Sequence, residues 1–321
     1  MTPHSFALLR LIADGEFHSG EALARTLDIS RGTVWNAVRA LEDADLAIYK
    51  VRGRGYKLAE PVSLLDARAL RANGLHVEVV DAVGSTNTEL MQRAASGAAS
   101  GSVLATEWQQ SGRGRMGRAW QAGIGRALAF SVLWRYAQGA SALSGLSLAV
   151  GVAVVRALRA IGAGDVELKW PNDVLWRGAK LAGILVELSG DTLGPSAVVV
   201  GIGVNVRLSA AMRARIDQPA ADLESACGGT LDRNAVLGAV LRELRDVLER
   251  FGVDGFAPLR PEWERYHAHQ GKRVTVTLPG GATDSGVARG IAEDGALLFE
   301  SGNALRRLHS GEISLRAVKR P

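Results

Sequence analysis

Gln109-Gln110-Ser111-Gly112-Arg113-Gly114-Arg115-Met116-Gly117-Arg118-Ala119-Trp120 interleaves three glycines with three arginines. Glycine lets backbone come close to a ligand and arginine aims fixed positive charge at it, so the stretch suits a phosphate or a carboxylate. Gly112, Gly114 and Gly117 also spell the G-x-G-x-x-G of dinucleotide-binding loops. That reading needs a strand before the loop, a helix after it to carry the pyrophosphate, and an acid about 20 residues on. Val103 to Glu107 supplies the strand. Arg126-Ala127-Leu128-Ala129-Phe130-Ser131-Val132-Leu133-Trp134, however, is a second apolar run of strand length, and no acid occurs between Glu107 and Asp165. The dinucleotide reading fails on both counts. A merely solvated basic loop is opposed by a second unusual cluster, Lys169-Trp170-Pro171-Asn172-Asp173, followed by Lys180-Leu181-Ala182-Gly183-Ile184-Leu185-Val186-Glu187.

In this order the three segments resemble the biotin protein ligases. The similarity runs from end to end and is greatest to the bifunctional type that ligates biotin and represses its own biosynthetic operon. It implies an α+β protein with a winged helix-turn-helix over residues 1–61, a mixed-sheet catalytic domain of the biotin/lipoate ligase type over 62–270, and an SH3-like β-barrel over 271–321. Substrates implied are biotin and ATP with Mg2+, and partners a carboxyl carrier protein of acetyl-CoA carboxylase, operator DNA and a second copy of the chain. A lipoate or other acyl-acid ligase shares the adenylation logic, and a regulator that senses a small acid without turnover would keep the pocket.

Composition is consistent with this. The 321 residues allow two or three domains, and 47% apolar with 22% charged residues describes a chain able to bury a core. No apolar run is expected to approach the roughly 20 residues that cross a bilayer, and the N-terminus shows no signal-peptide pattern, which predicts a cytoplasmic protein. Cys227 is the only cysteine, so an intramolecular disulfide and a cysteine-based zinc site are ruled out. The net charge of +5 favours anionic partners.

The first sixty residues predict a separate unit. Phe6, Leu8, Leu9, Leu11 and Ile12 mark a first helix, Ser19 caps a second, and Ser30 caps a third in which Val34, Val38 and Leu41 keep helical spacing. The third helix turns Arg31, Thr33, Asn36 and Arg39 outward, as a recognition helix does. Ala47 to Leu58 alternates and turns like a hairpin carrying Lys50, Arg52, Arg54 and Lys57 and no acid, a wing suited to phosphates. Asp28 stands where such turns often carry glycine, so the turn is expected to be less relaxed there.

Within the large domain, Val77-Glu78-Val79-Val80 reads as a strand and Ser85-Thr86-Asn87 as a helix cap. The resemblance adds that Ser85, Thr86, Asn87 and Gln109 contact the biotin ureido ring, whose recognition needs both donors and acceptors. It also assigns Arg113, Gly114, Arg115 and Lys180 to biotin, and Arg118, Trp120, Asn172, Asn205 and Arg316 to the nucleotide. Joining a carboxylate to ATP brings two anions together, and fixed cations must offset their repulsion. Lys180, Arg115, Arg118, Lys169 and Asp173 are the catalytic candidates, with Asp173 either holding Mg2+ or orienting the incoming amine. No dedicated metal-ligand set is read in the chain. Because its charges repel and its glycines confer little order, the Gly/Arg loop is expected to be mobile and to order over the intermediate.

Met116 departs from the family, which carries a further arginine there. Residues 209 to 222 offer no aromatic to close over the adenine. Gly201 and Gly203 predict a close approach at a strand end, and His267 with His269 is expected to lie at the surface. A helix over 234–251 reads as packing, and short strands from 273 onward, split by Gly-containing turns, predict the small barrel.

Overall fold

The computed structural model describes residues 1–190, 194–278 and 282–309, with 71–73 and 314–317 described by backbone alone. At the N-terminus, α1 (Pro3–Ile12), α2 (Gly20–Thr26) and α3 (Arg31–Asp43) precede a hairpin of β1 (Ile48–Val51) and β2 (Gly55–Leu58). Each helix starts on a side-chain cap: Thr2 in a capping box, Ser19 accepting from the Ala22 N–H, and Ser30 from the Thr33 N–H. Phe6, Leu8, Leu9 and Ile12 pack with Val34, Val38 and Leu41 in one core. Asp28 takes φ +52° between α2 and α3, the left-handed conformation expected of that turn, at a cost on the order of 1 kcal/mol for a non-glycine residue.

The central sheet holds β3 (His76–Val83), β4 (Ser102–Gln109), β5 (Ala127–Tyr136), β6 (Val166–Lys169), β7 (Asp173–Trp176), β8 (Ala179–Gly190) and β9 (Ser196–Asn205) in the order β3-β4-β5-β9-β8-β7-β6. Only β3 and β4 run parallel, across α4 (Thr86–Ala95), and every other pair is antiparallel. Side chains alternate across the strands, so Leu104, Leu133, Ala197 and Val199 meet α4 on one face. Val103, Ala105, Val132, Val198 and Val200 face the other way, in one core with α5 (Leu146–Ala160) and α8 (Arg233–Asp254). Between β9 and α8 lie α6 (Ala210–Arg215) and α7 (Leu223–Cys227).

One expectation from the sequence is corrected here. Ala140–Ala160 spans 21 residues with mean hydropathy 1.8, enough by length and composition to cross a membrane. Its residues from Leu146 to Leu158 are nearly all buried between the sheet and α8, which is how a core helix of a large sheet reads.

After α9 (Arg260–Tyr266), β10 (Arg273–Thr277), β11 (Thr283–Ile291), β12 (Leu297–Ser301), β13 (Ala304–Leu308) and β14 (Ser314–Ala317) form an antiparallel sheet ordered β13-β12-β11-β10-β14. Val274, Val276, Ile291, Leu297 and Phe299 join the catalytic core rather than a separate one. Trp170 Nε1 donates to Gly295 O at 3.1 Å and the Ile291 N–H to Glu264 Oε1 at 2.9 Å across the join. Buried linkage also fixes the other junction: Arg233 and Glu107, 1% and 2% exposed, pair at 2.8 Å, while Arg233 donates to Ser63 O and the Leu65 N–H donates to Glu107. A pair this deep holds only because its remaining donors and acceptors are satisfied.

His267 and His269 are buried, not surface residues, at 6% and 8% exposure. His267 packs on Trp263 with ring centroids 4.6 Å apart, since the α9–β10 connection lies under the C-terminal sheet. Burial lowers each pKa to about 4; for His267 the Gln270 contact opposes the fall, and the charges of Lys169 and Lys272 add to it for His269. The unfolded chain therefore binds more protons than the fold between about pH 4 and 6.5. Stability from these rings is complete above pH 6.5 and lost as pH falls toward 4, on the order of 1–2 kcal/mol per ring at pH 5. Urea midpoints measured from pH 7.5 to 5 should fall, and His269→Gln should flatten the slope.

Candidate active site

A cavity of ≈ 450 Å³ opens on the α4 face of the sheet, beyond the N-terminus of α4. It is lined by residues from the 85–87 turn, the Gly/Arg loop, β6 to β9 and the connection after β9. Ser85, Thr86, Asn87, Gln109, Arg113, Gly114, Arg115, Arg118, Trp120, Lys169, Asn172, Asp173, Lys180 and Asn205 all border it. Of the catalytic, biotin and nucleotide residues expected from the sequence only Arg316 is not among those bordering it. Its backbone pairs with Thr275, and its side chain lies outside the described residues.

One end of the cavity is a buried polar cluster. Ser85 is the N-cap of α4 but its side chain makes no capping bond and is 6% exposed. Gln109 Oε1 accepts from the Thr86 N–H at 2.9 Å and the Thr86 hydroxyl at 3.2 Å. Asn87 donates to Leu185 O and to Glu187 Oε2, and Ser131 Oγ lies 2.7 Å from Thr86 Oγ1 and 2.6 Å from Asn87 Oδ1. Both amide hydrogens of Asn87 are thus committed to protein, leaving a lone pair on Oδ1.

The other end is cationic. Arg113 donates to both Glu187 oxygens at 2.8 Å, and Arg115 to Asn172 Oδ1 at 3.2 Å. Burial pushes the Arg115 guanidinium below its ordinary pKa, with Asp173 opposing and Arg118 reinforcing the shift. Asp173 holds Lys180 at 2.6 Å and stands 3.9 Å from Lys169. It sits opposite Gly183 on the β7–β8 ladder, whose register shift beside Val174 lets Lys180 reach across. Lys180 also leans toward Trp120, its Nζ 5.9 Å from the ring centroid.

The Gly/Arg loop is held by its own backbone, the Trp120 N–H donating to Gly112 O and the Gly114 N–H to Arg118 O. Met116 takes φ +56° at 69% exposure on the cavity mouth. The close approach expected at Gly201 and Gly203 is made by side chains. A Cβ on Gly201 would stand 2.1 Å from Asn87 Oδ1, and one on Gly203 2.3 Å from the Trp120 ring. Trp120 Nε1 is buried without a protein partner.

Three residues were missed in the sequence. Ser131 is the one hydroxyl in the apolar run from Ala127 to Trp134, a signal that it needs a buried partner. Glu187 ends a quoted segment but faces Arg113 only through strand pairing. Ile216 brings an apolar side chain to the cavity from the 209–222 connection, where an aromatic was sought. That connection is pinned by the Lys180 N–H donating to Pro219 O and by Asn205 Nδ2 donating to Ala221 O.

Among the described residues no cluster of three or more His, Cys, Asp or Glu could hold a metal. Asp173 offers one carboxylate already shared between lysines, so a magnesium ion fits here only with most of its oxygens coming from a nucleotide.

An adenylating ligase fused to a helix-turn-helix unit is the class that this fold and cavity define. Residues 79–205 match the biotin/lipoate A/B protein ligase family, 4–57 an HTH domain and 269–316 the biotin protein ligase C-terminal domain. The bifunctional ligase/repressor BirA of Escherichia coli is 39% identical over 98% of this chain and 97% of its own. The biotin--[acetyl-CoA-carboxylase] ligase of Mycobacterium tuberculosis is 36% identical, over 78% of this chain and 95% of that one. The Aquifex aeolicus biotin protein ligase, solved with biotin and ATP, superposes with a TM-score of 0.65 at 29% identity, covering 76% of this chain and 99% of that one. The chain belongs to the bifunctional biotin ligase/repressor family.

Gly203→Ala should displace the Trp120 indole and weaken ligand binding about tenfold or more, with only a modest loss of Tm. Calorimetric titration alongside a thermal melt separates the two effects.

Proposed function

We propose that the protein makes biotinyl-5'-AMP from biotin and ATP and transfers the biotinyl group to a lysine of the carboxyl carrier protein of acetyl-CoA carboxylase. It also represses transcription in response to biotin. The observation that carries this reading is one cavity with a donor-and-acceptor cluster, Thr86-Gln109-Ser131, at one end and the cations Arg113, Arg115, Arg118, Lys169 and Lys180 at the other.

The ureido ring pairs with Ser85, Thr86, Gln109 and the remaining lone pair of Asn87. Lipoate has no such group and would bring these polar atoms no hydrogen-bonding partner. Arg113, Gly114, Arg115 and Lys180 receive the biotin carboxylate, whose oxygen attacks the ATP α-phosphorus as pyrophosphate leaves. Arg118, Trp120, Asn172, Asn205 and Arg316 attend the nucleotide, with the buried indole N–H of Trp120 seeking an acceptor on it. Lys180, Arg115, Arg118 and Lys169 offset the charge that gathers at the α-phosphate. Asp173 orients the lysines, and Mg2+ arrives on the ATP oxygens. The carrier lysine amine then attacks the anhydride carbonyl carbon and AMP departs. Ile216 gives the closing surface over the adenine.

Residues 1–61, 62–270 and 271–321 form the DNA-binding, catalytic and C-terminal units of this scheme, and ATP and operator DNA place it in the cytoplasm. Arg31, Thr33, Asn36 and Arg39 with Lys50, Arg52 and Arg54 meet the operator. The loaded protein pairs as a homodimer along β8. Its residues 186–190 pair with β9 on one side only among the described residues, and Leu188 is exposed there.

Pyrophosphate release measured with ATP and biotin, lipoate or octanoate should respond to biotin alone. Lys180→Ala and Arg115→Ala should each lower adenylate formation about a hundredfold or cause adenylate leakage. Normal synthesis and retention in both variants would remove the site.

A further inference from the structure

The recognition helix carries a side chain that none of the roles above uses. Trp35, the fifth residue of α3, is 47% exposed, although Val34, Ala37, Val38 and Leu41 around it are buried against the core. Of seven exposed large apolar side chains among the described residues, three, Trp35, Tyr49 and Val51, lie on the helix-turn-helix unit. Arg31 and Arg39 stand one turn before and after Trp35 on the same stripe. The Arg39 guanidinium carbon sits 4.9 Å from the Trp35 ring centroid, so a cation-π contact orients the indole along the helix.

This patch is apolar at its centre and positive at its rim. The only acids on α3 are Glu42 and Asp43 at its far end, and Glu42 is engaged by Lys50 of the wing at 2.7 Å. A partner that fits is polyanionic and presents small apolar projections between its charges. Duplex DNA does so in the major groove, where thymine offers a C5-methyl beside the hydrogen-bonding edges. A recognition helix reads base edges with its N-terminal residues, which is where Trp35 lies.

We propose that Trp35 is a specificity-determining residue of the DNA-binding unit, reading a thymine C5-methyl in each half-site, with Arg39 as the residue that positions its indole. This rests on the repressor reading above. The neighbours Arg31 and Asn36 supply the polar contacts, and the wing cations bind backbone phosphate.

The test uses the full chain loaded with biotin and ATP. Duplexes retained from a randomised pool give the operator, and each thymine in it is then replaced by uracil, which removes only the methyl. For the wild type, uracil at one position per half-site should weaken binding about threefold to tenfold. Trp35→Ala should bind the thymine and uracil duplexes equally and more weakly than the wild type binds thymine, while Trp35→Phe keeps part of the discrimination. Far-ultraviolet circular dichroism checks that α3 is intact. Unchanged uracil sensitivity in Trp35→Ala overturns the assignment and leaves the repressor reading standing. A wild type that retains no duplex overturns both. If Trp35→Ala instead abolishes self-association, as read by light scattering, the face belongs to a protein contact and the proposal fails.

Discussion

Of the cations that border the cavity, Arg113, Arg115, Lys169 and Lys180 crowd together, and like charges so close are held only if something of opposite or polar character binds each one. Glu187, Asn172 and Asp173 do this from three different strands or strand ends. The rest of the catalytic domain is arranged around that requirement. The β7–β8 hairpin sets Asp173 opposite Gly183 and brings Lys180 across it, and β8 carries Glu187 onward to meet Arg113. Anionic substrates then compete with, or add to, acceptors of similar chemistry, so charge is positioned before the reaction rather than gathered during it.

The Gly/Arg loop also joins the cavity to the DNA-binding unit. Four residues past Trp120, Ile124 is 1% exposed and lies in the same core as Phe6, Leu9 and Leu41. Arg215, which borders the cavity, pairs with Asp45 just beyond α3 at 2.5 Å, and Arg10 of α1 pairs with Asp81 of β3. These surface pairs contribute little individually. The apolar contact of Ile124 is the stronger tie, because a side chain removed from water in that core resists being pulled out.

Much of this was legible from local pattern. Ser19 and Ser30 cap their helices as their place before an apolar period implied. The cavity residues were named because Gly, Arg, Lys, Ser and Asn clusters are unusual in composition. What was misread depended on partners distant in sequence. His267 and His269 look like surface residues until Trp263 and the C-terminal sheet cover them, and the apolar stretch Ala140–Ala160, longer than the sequence reading allowed, lies buried against α8.

The sequence by itself determined which stretches are helix or strand, that a basic glycine loop lies between strands, and that its chemistry suits joined anions. These follow from periodicity, caps and residue type, all of which act over a few residues. Tertiary structure alone decided that Glu187 holds Arg113, that Ser131 lies between Thr86 and Asn87, and that Trp120 rests on Gly203. Those contacts join residues 44 or more positions apart, and the order in which distant strands lie side by side is what brings them within a hydrogen bond or a van der Waals radius of each other.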